Sequence, residues 1–269
     1  MRLASSLFAG ALAGLGWAAA LQDRLLLQPP RQAAFADPAV GVALRDREGA
    51  AVGWLREPDR SPARGTVVVF HGNAGCAQDH GLLAAALARR GLRVVSSEYP
   101  GYCGRGGIAS LDAILEDAVR VTALARERWG GPIVLAGYSL GAAVAATRAD
   151  DPTVDAFLLV TPWASFRAMA AHHFPWLPVR WLATGRMETM ERLTAALSRG
   201  APVVMVGAAL DDIVPVEQAR ALARRHPQAR YRELAAAGHN DWLAHLSAAD
   251  WDAIVSGLLR QDAQEPVRR

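Results

Sequence analysis

The chain has 269 residues, 52% of them hydrophobic and 20% charged, which is enough apolar material for one large core. The formal net charge is only +3 and the basic residues are spread along the sequence, which argues against a nucleic-acid-binding face. Every one of the 29 basic side chains is Arg, so Schiff-base chemistry and a phosphate-loop lysine are excluded. Two cysteines and seven scattered histidines show no metal-ligand spacing, and neither a metal nor a cofactor is expected.

In chain order, residues 3–21 carry no charge, follow Arg2 and precede Gln22, Asp23 and Arg24. That length is near the ~17 to 25 residues of a membrane-spanning helix, while Ala18, Ala19 and Ala20 fit a signal-peptidase site. The expectation is an N-terminal hydrophobic anchor or signal segment within 1–28. As an anchor, it holds the bulk of the protein on the outer, periplasmic or extracytoplasmic side; secretion after signal cleavage is the alternative. Residues 28–38, with three prolines, read as a linker. Residues 40–47 and 51–57 read as an antiparallel strand pair.

From Gly65 the pattern becomes strand and helix in alternation. The run 66–70, TVVVF, is a strand buried on both faces, followed by an amphipathic helix over 78–90 ended by Gly91. A strand at 92–97, a Gly-rich loop at 99–107 and a helix capped by Ser110 come next. The strand 133–135 leads into a helix over 142–149, and another strand covers 156–160. Residues 161–199 break the alternation, with Trp163, Phe166, Phe174, Trp176, Leu177 and Trp181 among Pro162, Pro175 and Pro178. This reads as an insertion over the sheet's edge, either a substrate-facing cap or ordinary packing. A strand at 202–206, a helix at 216–225, a strand at 229–234 and a last helix over 242–259 complete a domain spanning 29–260; residues 261–269 form a polar tail.

Between the strand at 133–135 and its helix lies Gly137-Tyr138-Ser139-Leu140-Gly141, a G-x-S-x-G turn whose glycines allow the backbone to expose a serine oxygen near positive helix-end dipoles. A nucleophilic serine needs a base, an acid to orient that base, and donors for an oxyanion. Asp211 follows one later strand and His239 the next, giving the chain order Ser, Asp, His. Asp212 is a rival to Asp211 and otherwise caps the following segment. His80, His172, His173, His226 and His245 read as surface or packing residues, although His172 and His173 could line a pocket. The segment His71-Gly72-Asn73-Ala74-Gly75 follows its strand where an oxyanion loop belongs. The backbone N–H of Asn73, with Ala74 the second choice, pairs with that of Leu140. Cys76 and Cys103 can make at most one disulfide, with free thiols the alternative.

Together HGNAG, SEYPGYCGRGG, GYSLG, TPWASFRAMA, PVRWL, DDIVP and AGHND resemble an α/β-hydrolase superfamily serine hydrolase of the BEM46-like or serine-aminopeptidase-like branch, over nearly all of residues 25–259. Cys76 stands where relatives often carry Asn, and Cys103 interrupts a Gly-Tyr-Gly pattern. The resemblance implies an α/β fold with a mostly parallel central sheet flanked by helices and a helical cap insertion. It also implies a catalytic triad of Ser139, Asp211 and His239, an oxyanion loop at HGNAG, and an N-terminal anchor. The expected activity is cleavage of a small-molecule carboxylic ester or thioester, lipid-like substrates included, through an acyl-serine. A peptidase using Glu98 or Asp79 to receive a substrate amine is the second enzyme reading. A catalytically silent, membrane-tethered binding module is the reading from another class.

Overall fold

The computed structural model describes residues 23, 26–31, 41–173 and 187–259. The segment at 3–21, most of the linker, the aromatic positions Phe174, Trp176 and Trp181 with their prolines, the side chain of His173 and the tail at 261–269 lie outside the described residues. Among the described residues, no helix is long and apolar enough to cross a membrane.

The β-branched runs pair into a single sheet of eight strands among the described residues: β1 (Val42–Arg45), β2 (Ala51–Arg56), β3 (Gly65–Phe70), β4 (Leu92–Ser97), β5 (Ile133–Tyr138), β6 (Ala156–Val160), β7 (Val203–Ala208) and β8 (Arg230–Leu234). Their spatial order is β1-β2-β4-β3-β5-β6-β7-β8. β1 pairs antiparallel with β2, and β2 antiparallel with β4; every later pairing is parallel. This is the mostly parallel sheet expected. Successive side chains of a strand point to opposite faces, and the core divides accordingly. Val68, Phe70, Ile133, Leu135, Phe157 and Leu159 belong to one apolar layer, whereas Val67, Val69, Val134, Ala136 and Leu158 belong to the other.

Helices cover both layers, as parallel strands require. α1 (Gly81–Ala88) and α7 (Ala248–Leu258) supply Leu83, Leu87, Trp251 and Leu258 to one layer. α2 (Leu111–Trp129), α3 (Leu140–Ala146), α5 (Thr189–Ser198) and α6 (Val216–Arg225) supply Ile114, Val144, Leu193 and Leu222 to the other. α4 (Phe166–His173) lies between β6 and α5 in the chain. Ser110 caps α2 by accepting the N–H of Ala113 at 3.2 Å, the role its position predicts.

Four expectations need correction. The apolar periodicity over 242–259 does not run as one helix: a 3-10 turn (Trp242–His245) ends, and Ser247 opens α7. Ser247 Oγ accepts the N–H of Asp250 at 3.2 Å, and the Asp250 carboxylate accepts that of Ser247 at 3.0 Å, a capping box that restarts the helix. The helix expected at 78–90 likewise begins as a 3-10 turn (Ala77–His80), where the Asp79 carboxylate accepts the N–H of Cys76 at 2.7 Å, before α1. The helix after the Gly-Tyr-Ser-Leu-Gly turn starts two residues earlier than expected, at Leu140. Finally, residues 161–199 join β6 to β7, adjacent strands inside the sheet rather than at its edge.

Candidate active site

All the candidate site residues follow the carboxyl ends of parallel strands, the end at which a doubly covered α/β sheet leaves room for a ligand. Ser139 stands between β5 and α3 with φ 54° and ψ −115°. A non-glycine residue held there stores on the order of 1 to 3 kcal/mol of strain, so the surroundings must dictate the turn. They do so through two glycines. A Cβ on Gly137 would lie 2.0 Å from the carbonyl oxygen of Gly141, and one on Gly141 would lie 2.0 Å from that of Phe70. Backbone therefore packs against backbone on both sides of the serine, which is 7% exposed.

The loop after β7 presents Asp211, and the loop after β8 presents His239. Asp211 Oδ2 accepts from His239 Nδ1 at 2.7 Å, while Oδ1 accepts the N–H groups of Ile213 at 2.9 Å and Val214 at 2.7 Å. The Asp211 side chain is only 1% exposed and that of His239 5%, so the pair is shielded from water and its attraction is correspondingly strong. Asp212 is exposed, and Pro215, not Asp212, occupies the N-cap of α6. With Nδ1 engaged, Nε2 is the ring nitrogen of His239 left for another partner.

Tyr138 links this pair to the serine turn. Its phenol lies 2.9 Å from the His239 carbonyl and 2.8 Å from Asn240 Oδ1, and its ring is 5.0 Å from the imidazole and 6.1 Å from the Trp242 ring. Burial, then the charge of Asp211, pushes the phenol's pKa above its ordinary range, so Tyr138 remains a donor.

The HGNAG loop lies against the serine: a Cβ on Gly72 would meet the Tyr138 ring at 3.0 Å and Ser139 Cβ at 3.8 Å. Asn73, Ser139 and Leu140 line one apolar pocket. The N–H groups of Asn73 and Leu140 donate to no other described residue. The loop is held from behind. His71, fully buried, has Nδ1 2.8 Å from its neighbour Gly72's carbonyl and Nε2 2.9 Å from Glu98 Oε1, off the line of the ring N–H. The Tyr99 phenol donates to the His71 carbonyl at 2.9 Å, and the Tyr99 ring lies 3.9 Å from the imidazole. Cys76, at the loop's end, is joined by a disulfide to Cys103 in the loop after β4.

The carboxylates offered for a substrate amine are committed elsewhere. Glu98 is wholly buried, facing His71 and accepting the N–H groups of Ala77 at 2.9 Å and Tyr99 at 3.3 Å. Asp79 holds the N–H of Cys76. The pocket beside Ser139 has no ionisable side chain among its described lining residues. Cys76, Glu98 and Cys103 also group closely, but a disulfide has no thiolate to offer a metal. Among the remaining histidines, His80 is buried, edge-on to Tyr138 with ring centroids 6.1 Å apart, and His226 Nε2 sits 2.8 Å from the Met190 carbonyl. Both serve packing. His172 is exposed.

Sequence reading missed Tyr138, hidden as the variable position of G-x-S-x-G, and the pairing of His71 with Glu98. An acid ending a buried strand, as Glu98 does in SEYPGY, was the available signal for the latter.

Comparison with known proteins fits this fold. Residues 61–187 match the family model described as serine aminopeptidase, S33. Two uncharacterized proteins of Mycobacterium tuberculosis, MT2364 and Rv2307c, are each 33% identical over 210 residues, covering 74% of this chain and 72% of theirs. Among solved structures, the Pyrococcus furiosus esterase Pf2001 aligns with a TM-score of 0.63 at 16% identity, over 87% of this chain and 99% of that one. An alpha-beta serine hydrolase homologue from Coxiella burnetii aligns at 0.56 with 20% identity, over 78% and 90%.

Proposed function

The chain belongs to the α/β-hydrolase superfamily, and from that premise we propose that it is a serine hydrolase cleaving a small carboxylic ester or thioester through an acyl-serine. The observation carrying this reading is the 2.7 Å bond between His239 Nδ1 and Asp211 in loops that follow consecutive strands, beside a strained, glycine-framed Ser139. In the proposed cycle, His239 Nε2 takes the hydroxyl proton as Ser139 Oγ adds to the carbonyl carbon. Asp211 stabilises the imidazolium, and the N–H groups of Asn73 and Leu140 stabilise the oxyanion. Collapse expels the alcohol or thiol, which receives the proton from His239. Water then adds to the acyl-serine by the same proton route and releases the acid.

The apolar lining beside Ser139 favours an uncharged acyl group. The name of the matching family model supports a second reading, an aminopeptidase. We further propose that residues 3–21 anchor the chain with its catalytic domain on the outer side; the Cys76–Cys103 disulfide supports an oxidising location.

The test is the full chain against p-nitrophenyl esters, thioesters and aminoacyl amides, with Ser139→Ala as control. The expected result is ester or thioester turnover and fluorophosphonate labelling, both abolished by the substitution. Undiminished activity in Ser139→Ala sinks the mechanism, and exclusive cleavage of aminoacyl amides favours the peptidase.

A further inference from the structure

The sequence divides residues 26–30 between the N-terminal anchor or signal segment and the linker that begins at Gln28, yet they are built into the pocket. Leu26 and Leu27 line the apolar cavity beside Ser139, facing a lining that includes Leu111, Trp163 and Phe166. The same stretch is bound to the oxyanion loop through Leu26 and Gln28. Asn73 Nδ2 donates to the Leu26 carbonyl, and Asn73 Oδ1 accepts the N–H of Gln28 at 3.1 Å and the phenol of Tyr102 at 3.2 Å. Two further bonds tie the segment to its surroundings. The N–H of Cys103 donates to the Pro30 carbonyl at 3.1 Å, and that of Leu111 to Asp23 Oδ1 at 3.4 Å. The strap thus bridges the loop after β3, the loop after β4 and the start of α2.

Two consequences follow from this placement. An asparagine side chain held at both its oxygen and its nitrogen has one orientation, and the backbone of Asn73 is fixed with it. A donor aimed at a developing oxyanion loses much of its value when it can drift, because preorganisation is the source of that value. Meanwhile Leu26 and Leu27 set the breadth of the cavity, about 130 Å³. An apolar cavity of about 150 Å³ accepts a benzene ring, so this one suits an acyl group of roughly six carbons.

We propose that the strap formed by Asp23 and residues 26–30 is a positioning and specificity element of the catalytic pocket: its backbone fixes the oxyanion loop through the Asn73 side chain, and Leu26 and Leu27 select short, uncharged acyl groups. This rests on the serine-hydrolase reading above. Leu26 is half-buried, which makes it the more tolerant site for substitution; Leu27 is part of the packed core.

The experiment measures kcat and KM of the full chain on p-nitrophenyl esters from acetyl to dodecanoyl, with fluorophosphonate labelling and thermal unfolding in parallel. The wild type should favour acyl chains of about four to six carbons. Leu26→Ala makes room for two or so methylenes and should raise the decanoyl-to-butanoyl ratio of kcat/KM by about tenfold, whereas Leu26→Phe should lower it. Asn73→Asp keeps the backbone N–H and the acceptors but sets an oxygen against the Leu26 carbonyl. It should lower kcat about tenfold at every chain length with little change in KM. A merely structural strap would move the unfolding temperature and leave the chain-length profile alone. If the wild type labels and turns over while both Leu26 variants, folded, keep its profile, the inference is overturned and the functional reading stands. If the wild type neither labels nor cleaves any ester, the functional reading falls and takes this inference with it.

Discussion

Tyr138 and His239 are tied by more than proximity: the phenol of the residue preceding Ser139 lies 2.9 Å from the backbone carbonyl of the histidine, with the two rings 5.0 Å apart. The serine turn therefore carries its own support for the loop that holds the proposed base. Tyr138→Phe keeps the ring contacts with His239 and Trp242 and removes only the hydrogen bonds. A net hydrogen bond is worth on the order of 1 kcal/mol, so kcat should fall roughly five- to tenfold with KM little changed. Steady-state kinetics on a short-chain ester checks it, and a variant with wild-type kcat means that the phenol does not position the imidazole.

The Asp211 carboxylate makes a sharper prediction. In Asp211→Asn, the side-chain amide can present a donor to His239 Nδ1, forcing the tautomer that carries its proton on Nε2 and cannot accept one from Ser139. On the proposed mechanism, kcat should drop by roughly three to four orders of magnitude. Asp212→Asn provides the comparison, because that carboxylate is exposed; its activity should stay within about twofold of wild type. Equal losses in the two variants would contradict the assignment of the orienting acid to Asp211.

How much of this was legible in the chain depends on how local each cause is. The strand over 66–70 could be read because full burial demands a continuous β-branched and apolar run, and Ser110 because a cap acts on residues three positions away. The serine turn could be read because Gly137 and Gly141 meet backbone atoms that no side chain tolerates. By contrast, the strap offers two leucines, Gln28 and two prolines in no recognisable motif; what fixes it is Asn73, 45 residues beyond Gln28. The break before α7 was hidden since apolar spacing continues through it, and only Ser247 with Asp250 marks the restart. Nor could spacing alone pair Cys76 with Cys103.

That disulfide closes a loop across a sequence separation of 27 and joins the end of the HGNAG loop to the loop after β4. Chain-entropy arguments give a cross-link of this span about 3 to 4 kcal/mol of stability. Cys76→Ala with Cys103→Ala avoids leaving buried thiols and should lower the urea midpoint by the corresponding amount. Under the proposed role of Asn73, it should also reduce kcat at 25 °C, where the variant is still folded. A double variant unfolding at the wild-type urea concentration would show that the bond adds nothing to stability.

His80 predicts an acid limb in the stability curve. Burial, reinforced by the nearby His71, lowers its pKa to about 3, so the folded protein keeps this imidazole neutral across the range where a free histidine, near 6.5, takes up a proton. Below the unfolded value, the unfolded chain binds more protons than the folded one. Stability is therefore intact above about pH 6.5 and falls as the pH is lowered toward 3, by up to about 1.4 kcal/mol for each unit. Phenylalanine can retain the edge-on contact with Tyr138 without titrating, so His80→Phe should flatten the urea-unfolding free energy between pH 6.5 and 4 relative to the wild type. Carboxylates contribute to the slope below about pH 5 in both proteins, so the difference between the two profiles, and the part above pH 5 in particular, isolates the imidazole. Parallel pH profiles for the two proteins would show that His80 is not the group that gives way.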